Sequence, residues 1–318
     1  MIKVGVVGGA GYTGGELIRL LIHHPEVELS FVQSNSNAGN PIYSVHKDLY
    51  GETNIRFSAT IDLDVDIIFL CVGHGDAVQF LNNNTIPDSI KIIDLSQDFR
   101  LQQKSVFGTR SFVYGLPELN KDKISVASNV ANPGCFATAI QLGLLPLSKA
   151  GLLSNVYTTG ITGSTGAGQS LNATSHFSWR ANNIQAYKTL NHQHIAEISE
   201  SINAQGIHFV PWRGDFTRGI YVSSTLDSTL TQEALYDLYQ NFYNDAVFTH
   251  VSDTMIDLKQ VVNTNKCLIH IEKVGNKVVI HSCIDNLLKG ASGQALQNMN
   301  IMFGIPEKTG LQLKTNYF

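Results

Sequence analysis

The sequence predicts a two-part α/β chain: a doubly wound dinucleotide-binding domain, then an α+β domain. Gly8, Gly11 and Gly14 form a G-x-x-G-x-x-G run between an apolar, β-branched stretch and a helical one. Short apolar runs then alternate with helical segments, the signature of parallel βαβ units. In the second half strand-like runs dominate, with Gly275-Asn276 as a hairpin turn, which points to a mostly antiparallel sheet. The 318 residues suit two domains of about 150 each.

Taken in order, residues 2–8 read as a buried parallel strand. Leu17, Ile18, Leu20 and Leu21 then mark a helix that Pro25 brings to an end. Residues 27–32, 65–72 and 90–95 are short and β-branched, so they read as strands. Residues 124–130 look strand-like before the break at Asn132-Pro133-Gly134, and a helix is expected over 135–145 with Pro146 ending it. Strands are expected at 156–162, 207–210, 220–226, 267–274 and 277–283, and a helix over 292–303 that packs back on the first domain. The opening residues break at glycine after a short apolar run, so they read as a strand and not as a signal peptide.

Hydrophobic residues make up 43% and charged residues 15%, below the roughly 25% charged share usual in soluble proteins. A net charge of −4 offers no basic excess for nucleic acid or an anionic membrane, so an anionic ligand must be held by local donors. Between residues 124 and 179 the only charged residue is Lys149; the stretch is rich in Gly, Ser and Thr and fits buried backbone and loops around a site. The four cysteines, at 71, 135, 267 and 283, show no metal or redox spacing, which predicts no metal and a reducing, cytoplasmic setting. His23, His24, His46 and His250 read as surface residues.

Glycines at 8, 11 and 14 let backbone approach a pyrophosphate while the helix N-terminus offers free N–H groups. The second strand ends in Gln33-Ser34-Asn35-Ser36, without the carboxylate that would bind a ribose 2′-hydroxyl and repel a 2′-phosphate. Ser34 and Ser36 are candidate donors, and NADP is favoured over NAD. Cys135 follows Asn-Pro-Gly at the start of a helix, where the dipole favours a thiolate. Cys71, Cys267 and Cys283 sit in apolar runs and read as core. His192 and His194 stand near the start of another helix. One imidazole beside the thiol would serve acid–base work, while a metal set of His192, His194 and Glu197 is the weaker alternative.

Taken together, the motifs resemble the N-acetyl-gamma-glutamyl-phosphate reductase family over nearly the whole chain. Gly8 to Leu17, Phe69 to Gly75, Asp94 to Arg100, Tyr114 to Leu119, Asn132 to Cys135, Gly163 to Gly168, His192-Gln193-His194, Arg218-Gly219 and Asp285 to Gly290 follow in order. The resemblance implies a Rossmann domain plus a catalytic domain of the semialdehyde dehydrogenase and glyceraldehyde-phosphate dehydrogenase type. The expected division is 1–132 with 290–318 for NADP, and 133–289 for catalysis and oligomerisation.

It also implies an arginine-biosynthetic oxidoreductase that reduces an acyl phosphate with NADPH through a Cys135 thioester, with His192 as acid–base residue. Tyr12, Thr13, Gly73, His74, Gly166 and Asn286 join the glycines and serines as cofactor candidates. Arg100, Arg218 and Ser164 are the substrate candidates, since guanidinium forks suit phosphate and carboxylate. A homo-oligomer with a small-molecule substrate is expected. Phe136 stands where the family more often has Tyr, and Pro211 to Phe216 is unusual before Arg218. That stretch bears on the acyl pocket, so N-acetyl and N-succinyl substrates both stay open. From the residues alone, a cysteine hydrolase or acyltransferase and a nucleotide-sensing regulator are the rival classes.

Overall fold

The computed structural model describes residues 1–317. The chain forms two compact units, Met1–Pro133 with Ala291–Gln312, and Gly134–Gly290 with the residues from Leu313. Among the described residues no helix is long and apolar enough to cross a membrane.

The first unit runs β1 (Ile2–Val7), α1 (Tyr12–Leu21), β2 (Val27–Gln33), β3 (Phe57–Ser58), β4 (Ile67–Leu70), α2 (Asp76–Asn83), β5 (Lys91–Asp94), β6 (Val106–Phe107), β7 (Arg110–Tyr114), α3 (Pro117–Ser125) and β8 (Asn129–Ala131). Its sheet has the order β3-β2-β1-β4-β5-β8-β7-β6, parallel except for the β6–β7 pair. All four residues of β4 are buried, as a strand covered on both faces requires. The strand order reverses between β1 and β4, and ligands bind such sheets outside the strand ends at that switch point.

Residues 124–130 are not one strand. Pro117 at the first helical position presets the backbone of α3, and Ile124 is its fully buried inward anchor; only β8 remains extended. His24 and His46 are buried as well, not on the surface: His24 Nε2 meets Asn300 Oδ1 at 3.1 Å and His46 Nε2 meets the Gly9 carbonyl at 2.8 Å. A Cβ on Gly15 would collide with the His46 ring, so glycine there admits the imidazole beneath the loop.

The second unit runs α4 (Cys135–Lys149), β9 (Asn155–Thr162), α5 (Phe177–Arg180), β10 (Gln185–Ala186), α6 (His194–Ser201), β11 (Gly206–Arg213), β12 (Ile220–Asp227), α7 (Gln232–Phe242), β13 (Thr249–Ser252), β14 (Cys267–Val274) and β15 (Lys277–Ile284). Its sheet has the order β10-β11-β9-β12-β15-β14-β13, antiparallel except for the β9–β11 and β13–β14 pairs. The chain then returns to the first unit in α8 (Gly293–Met302), which packs on α1 and α3. Asn298 of α8 donates to the Gly115 carbonyl at 2.9 Å and to Asn132 Oδ1 at 3.1 Å.

Helix α4 is apolar all round and buried from Phe136 to Ser148, so it forms the core against the sheet. It does not end at Pro146. An interior proline strips the carbonyl four residues back of its N–H partner. That carbonyl, of Leu142, instead accepts from Tyr243 Oη at 2.5 Å, and the next carbonyl, of Gly143, accepts from Tyr239 Oη at 2.6 Å. Two tyrosines thus let the helix continue through its proline to Lys149. Replacing Tyr243 by Phe is expected to cost about 1–3 kcal/mol of unfolding free energy in urea titrations. In a Pro146→Ala background the cost should shrink, because residue 146 regains an N–H for Leu142; an equal cost in both backgrounds would refute this account.

Candidate active site

In the first unit, Gly8 follows β1 with φ +79°, and a Cβ there would meet the Cys71 carbonyl. Gly14 lies so close to the backbone of Gly8 and Gly9 that a Cβ would sit 2.6 Å from the Gly8 carbonyl. Gly11 differs. Its φ is −76°, and the nearest atom to its Cβ position is the Gly8 carbonyl at 3.7 Å. The fold therefore needs glycine at 8 and 14, whereas at Gly11 a Cβ would make only an ordinary contact with the Gly8 carbonyl. Gly11 is the N-cap of α1, without a side-chain cap and without an acidic residue in the first turn, so Tyr12 and Thr13 open the helix with its positive end bare. These features fit a pyrophosphate.

After β2, Ser34 is buried and its Oγ accepts from Asn37 Nδ2 at 3.2 Å, while Ser36 Oγ accepts from the same amide at 3.0 Å. Exposed Arg56 donates to the Gly39 carbonyl at 2.7 Å, which sets a guanidinium beside this turn. A cleft of about 550 Å³ is bordered by Val7, Gln33, Asn35, Val72 and Asp76. Gly73 and His74 precede α2 beside it, and Asp98 caps that helix by accepting from the Gly75 N–H at 2.7 Å. Arg100 belongs to this unit and is buried; its Nε donates to the Asn132 carbonyl at 2.8 Å and its Nη2 to the Leu95 carbonyl at 2.9 Å.

In the second unit, Cys135 is the first residue of α4, behind the N-cap Gly134. It is partly accessible, whereas Cys71, Cys267 and Cys283 are buried; burial pushes the Cys71 and Cys283 thiols up to about 12. Two glycines let the neighbours close on Cys135. A Cβ on Gly290 would stand 2.8 Å from that of Cys135, and one on Gly134 would run into His194 and Glu197. The Gly134 N–H donates to Glu197 Oε2 at 3.3 Å, so α6 clamps the start of α4.

His192 is buried among rings. Phe136 lies at 5.7 Å, Tyr187 at 5.8 Å, Phe209 at 5.4 Å and His194 at 4.6 Å between centroids. Its Nδ1 accepts from the His194 N–H at 3.2 Å, which leaves the proton of a neutral ring on Nε2. Burial, aided by His194 and Lys188, lowers its pKa to about 3. Burial also raises that of the Tyr187 phenol, with Cys135 as the next contributor, which puts that phenol within electrostatic reach of the thiol. Phe136, next to Cys135 in sequence, therefore holds the imidazole ring, and Tyr187 packs on that ring within electrostatic reach of the thiol.

Arg218 closes a fork on fully buried Asp285, at 3.0 Å from Nε and 3.1 Å from Nη2. Asn286 accepts from the Gly219 N–H at 2.7 Å and donates to Thr165 Oγ1 at 2.9 Å. Ser164 donates its N–H to the Phe216 carbonyl at 2.8 Å, and Gly166 lies over Thr162 and Asn286. The loop 163–168 is thus stitched to residues 216–219 and to the end of β15. Among the described residues no group of three His, Cys, Asp or Glu is disposed to hold a metal ion.

Tyr187, Arg180 and Arg213 belong to no recognisable motif in the sequence. Arg213 lies in the stretch noted as unusual, and Arg180 is the first charge after the charge-poor run.

Residues 3–127 match a family model described as "Semialdehyde dehydrogenase, NAD binding domain", and residues 135–286 one described as "Semialdehyde dehydrogenase, dimerisation domain". The chain is 53% identical over 325 residues to the N-acetyl-gamma-glutamyl-phosphate reductase of Christiangramia forsetii, and 53% over 326 residues to that of Bacteroides thetaiotaomicron; each match covers 100% of both chains. Among solved structures it is similar to aspartate semialdehyde dehydrogenase II from Vibrio cholerae, complexed with ASA. The TM-score is 0.73 at 14% identity, over 96% of this chain and 98% of that one. The Candida albicans aspartate semialdehyde dehydrogenase with NADP gives 0.68 at 12% identity, over 95% and 99% of the chains. At such identities these structures support the fold alone.

Because the folded His192 takes a proton only near pH 3 and an unfolded histidine near 6.5, the unfolded chain binds more protons between those values. Stability contributed by the neutral ring is complete above pH 6.5 and is lost as pH falls toward 3. In His192→Asn, unfolding free energy should fall less steeply between pH 6 and 4, by up to about 1.4 kcal/mol per pH unit. Parallel slopes for variant and wild type would show an ordinary, unshifted histidine.

Proposed function

The chain belongs to the semialdehyde dehydrogenase family and, within it, to the N-acetyl-gamma-glutamyl-phosphate reductases; from that premise we propose how its residues reduce N-acetyl-gamma-glutamyl phosphate to the 5-semialdehyde in arginine biosynthesis. The observation that carries the reading is Cys135, the partly accessible thiol at the positive end of α4, with His192 packed against its neighbour Phe136.

The Cys135 sulfur attacks the γ-acyl carbon, an S–C bond forms, the C–O bond to phosphate breaks, and phosphate leaves. The product is a thioester on Cys135. When bound, the dinucleotide supplies hydride to such a carbonyl. As the reduced adduct collapses, the C–S bond breaks, the aldehyde leaves and the thiolate is restored at the helix N-terminus, where the dipole favours an anion. His192, neutral and with its proton on Nε2, acts as a donor to the oxygen that gains charge at each tetrahedral stage. Tyr187 closes the other side of the ring and excludes water from it. Glu197 and Gly290 hold the start of α4 still while the sulfur changes partners.

The dinucleotide is NADP in this reading. Gly8, Gly11 and Gly14 with Tyr12 and Thr13 would hold the pyrophosphate, Ser34 and Ser36 with nearby Arg56 would suit a 2′-phosphate, and Gly73 and His74 border the same end of the sheet. In the second unit, Gly166 and Asn286 are assigned to the cofactor and Ser164 to the substrate. Arg100 and Arg218 have much of their forks committed to backbone carbonyls and to Asp285, so they act chiefly by positioning the segments around the substrate. A homo-oligomer formed through the second unit agrees with its dimerisation-domain match, and four free thiols suit a reducing cytoplasm.

The test is the reverse reaction with N-acetyl-glutamate 5-semialdehyde, phosphate and NADP, followed at the absorbance of NADPH. Cys135→Ala should show no turnover while its NADP dissociation constant stays within about twofold of wild type; turnover in that variant refutes the thioester. Ser34→Asp should raise KM for NADP on the order of tenfold or more while that for NAD changes little, because a carboxylate repels the 2′-phosphate. An unchanged ratio would place the 2′-group elsewhere.

A further inference from the structure

Arg100 and Arg218 find partners inside the protein. A third guanidinium in the second unit does not. Arg180 closes the short helix α5, and its Nε and Nη2 are both buried without a hydrogen-bond partner. Those two nitrogens form one edge of the guanidinium, the edge that grips an oxyanion with two parallel N–H bonds. Leaving such donors buried and unmatched is costly unless a ligand completes them.

The surroundings add to this. Arg213 repels Arg180 and Asp215 attracts it, and burial is the largest influence lowering the Arg180 pKa. Arg213 is itself held: Nη1 donates to Thr174 Oγ1 at 2.9 Å, and its guanidinium lies 4.5 Å from the centroid of the Tyr187 ring. Pairing of β10 with β11 sets this up, since Gln185 opposes Arg213 and the Tyr187 N–H donates to the Pro211 carbonyl at 3.0 Å. Asp215 is engaged by the Asn182 N–H at 2.6 Å. Arg180 and Arg213 therefore set two cations against the one carboxylate of Asp215 in a chain whose net charge is −4. The connecting segment is also strained: Asn182, Lys188 and Leu190 all have positive φ, at 54°, 45° and 57°. Backbone strain of this sort persists where surrounding structure or function holds it. Tyr187 ties the cluster to the thiol and to His192.

We propose that Arg180, seconded by Arg213, binds a carboxylate of the substrate through its Nε–Nη2 edge and so sets which acyl phosphates the site accepts. The proposal rests on the acyl-phosphate reductase reading. The carboxylate has two possible sources, the α-carboxylate of the glutamyl unit or one carried on the N-acyl arm. The phosphate departs from the reacting carbon and is a separate group.

The experiment compares wild type with R180Q and R180K in the reverse reaction, using N-acetyl- and N-succinyl-glutamate semialdehyde and the α-carboxamide of the former. In R180Q, KM for the carboxylate-bearing aldehyde should rise on the order of 30-fold, kcat should stay within a few-fold, and KM for phosphate and NADP should not move. R180K should recover part of the loss, since it keeps charge without the fork. A loss seen with the acetyl substrate and absent with its carboxamide identifies the α-carboxylate. A loss confined to the succinyl substrate identifies the acyl arm. Unchanged aldehyde KM with every substrate, or a rise in phosphate KM alone, overturns the proposal. Calorimetric binding of the unreactive γ-amides of N-acetyl- and N-succinyl-glutamate tests Arg180 independently of turnover. A wild type that binds them through Arg180 yet turns over no aldehyde would refute the reductase reading and leave the carboxylate site standing. R180Q should melt at or above the wild-type temperature, because it removes unmatched buried donors; a lower melting temperature together with unchanged binding makes Arg180 structural.

Discussion

The chemistry of this protein depends on a backbone held from two sides at the start of α4. Gly134 has no Cβ, so His194 and Glu197 press against the peptide before the thiol and Glu197 accepts the Gly134 N–H. Gly290 has no Cβ, so the chain leaving β15 packs on Cys135 itself. In the mechanism proposed for Cys135, a sulfur that must form and break a bond at one carbon needs placement to a fraction of an ångström. Here that placement comes from the Gly134 peptide, gripped by the His194 and Glu197 side chains on one side, and from the Gly290 backbone lying against Cys135 on the other. The long helix behind it is equally fixed, with Tyr239 and Tyr243 repairing the carbonyls that Pro146 would otherwise disturb.

Burial sets the protonation state around that sulfur. An exposed imidazole would be partly charged at neutral pH and would carry water with it. His192 instead sits among Phe136, Tyr187 and Phe209, and the His194 amide occupies its Nδ1. The ring is thereby neutral with a defined tautomer, a donor fixed in direction and ready without prior deprotonation. The same packing explains why Phe can follow Cys135: what is needed there is an aromatic edge against the imidazole, and a hydroxyl is not required for it.

Positive charge is divided by task. Arg218 stiffens the end of β15 through Asp285, and Arg100 ties the ends of β5 and β8 through backbone carbonyls. Both forks are occupied by the protein, whereas Arg180 presents an edge that the protein leaves open. In the first unit the glycines divide in the same way. Gly8 and Gly14 are demanded by the fold, whereas the fold does not require glycine at 11.

Much of this was legible in the residues. The glycine run, β-branched strands and hairpin turn report local geometry, and local geometry depends on neighbours in sequence; so the nucleotide loop, most strands and the helix at Cys135 were recognisable. The family followed from the order of many short motifs. The structure departs from the local reading where distant residues decide. Pro146 reads as a helix end until Tyr243, far along the chain, takes the orphaned carbonyl of Leu142. His24 and His46 read as surface until Asn300 and the Gly9 carbonyl receive them. Arg180 and Arg218 look alike as letters, and only tertiary contacts show that one is matched by Asp285 and the other has a buried edge without a partner. Composition and periodicity determine which segments become strand or helix, because those choices are made within a few residues. Which polar groups find partners inside the protein, and which are left for a ligand, is decided only when segments remote in sequence are packed together.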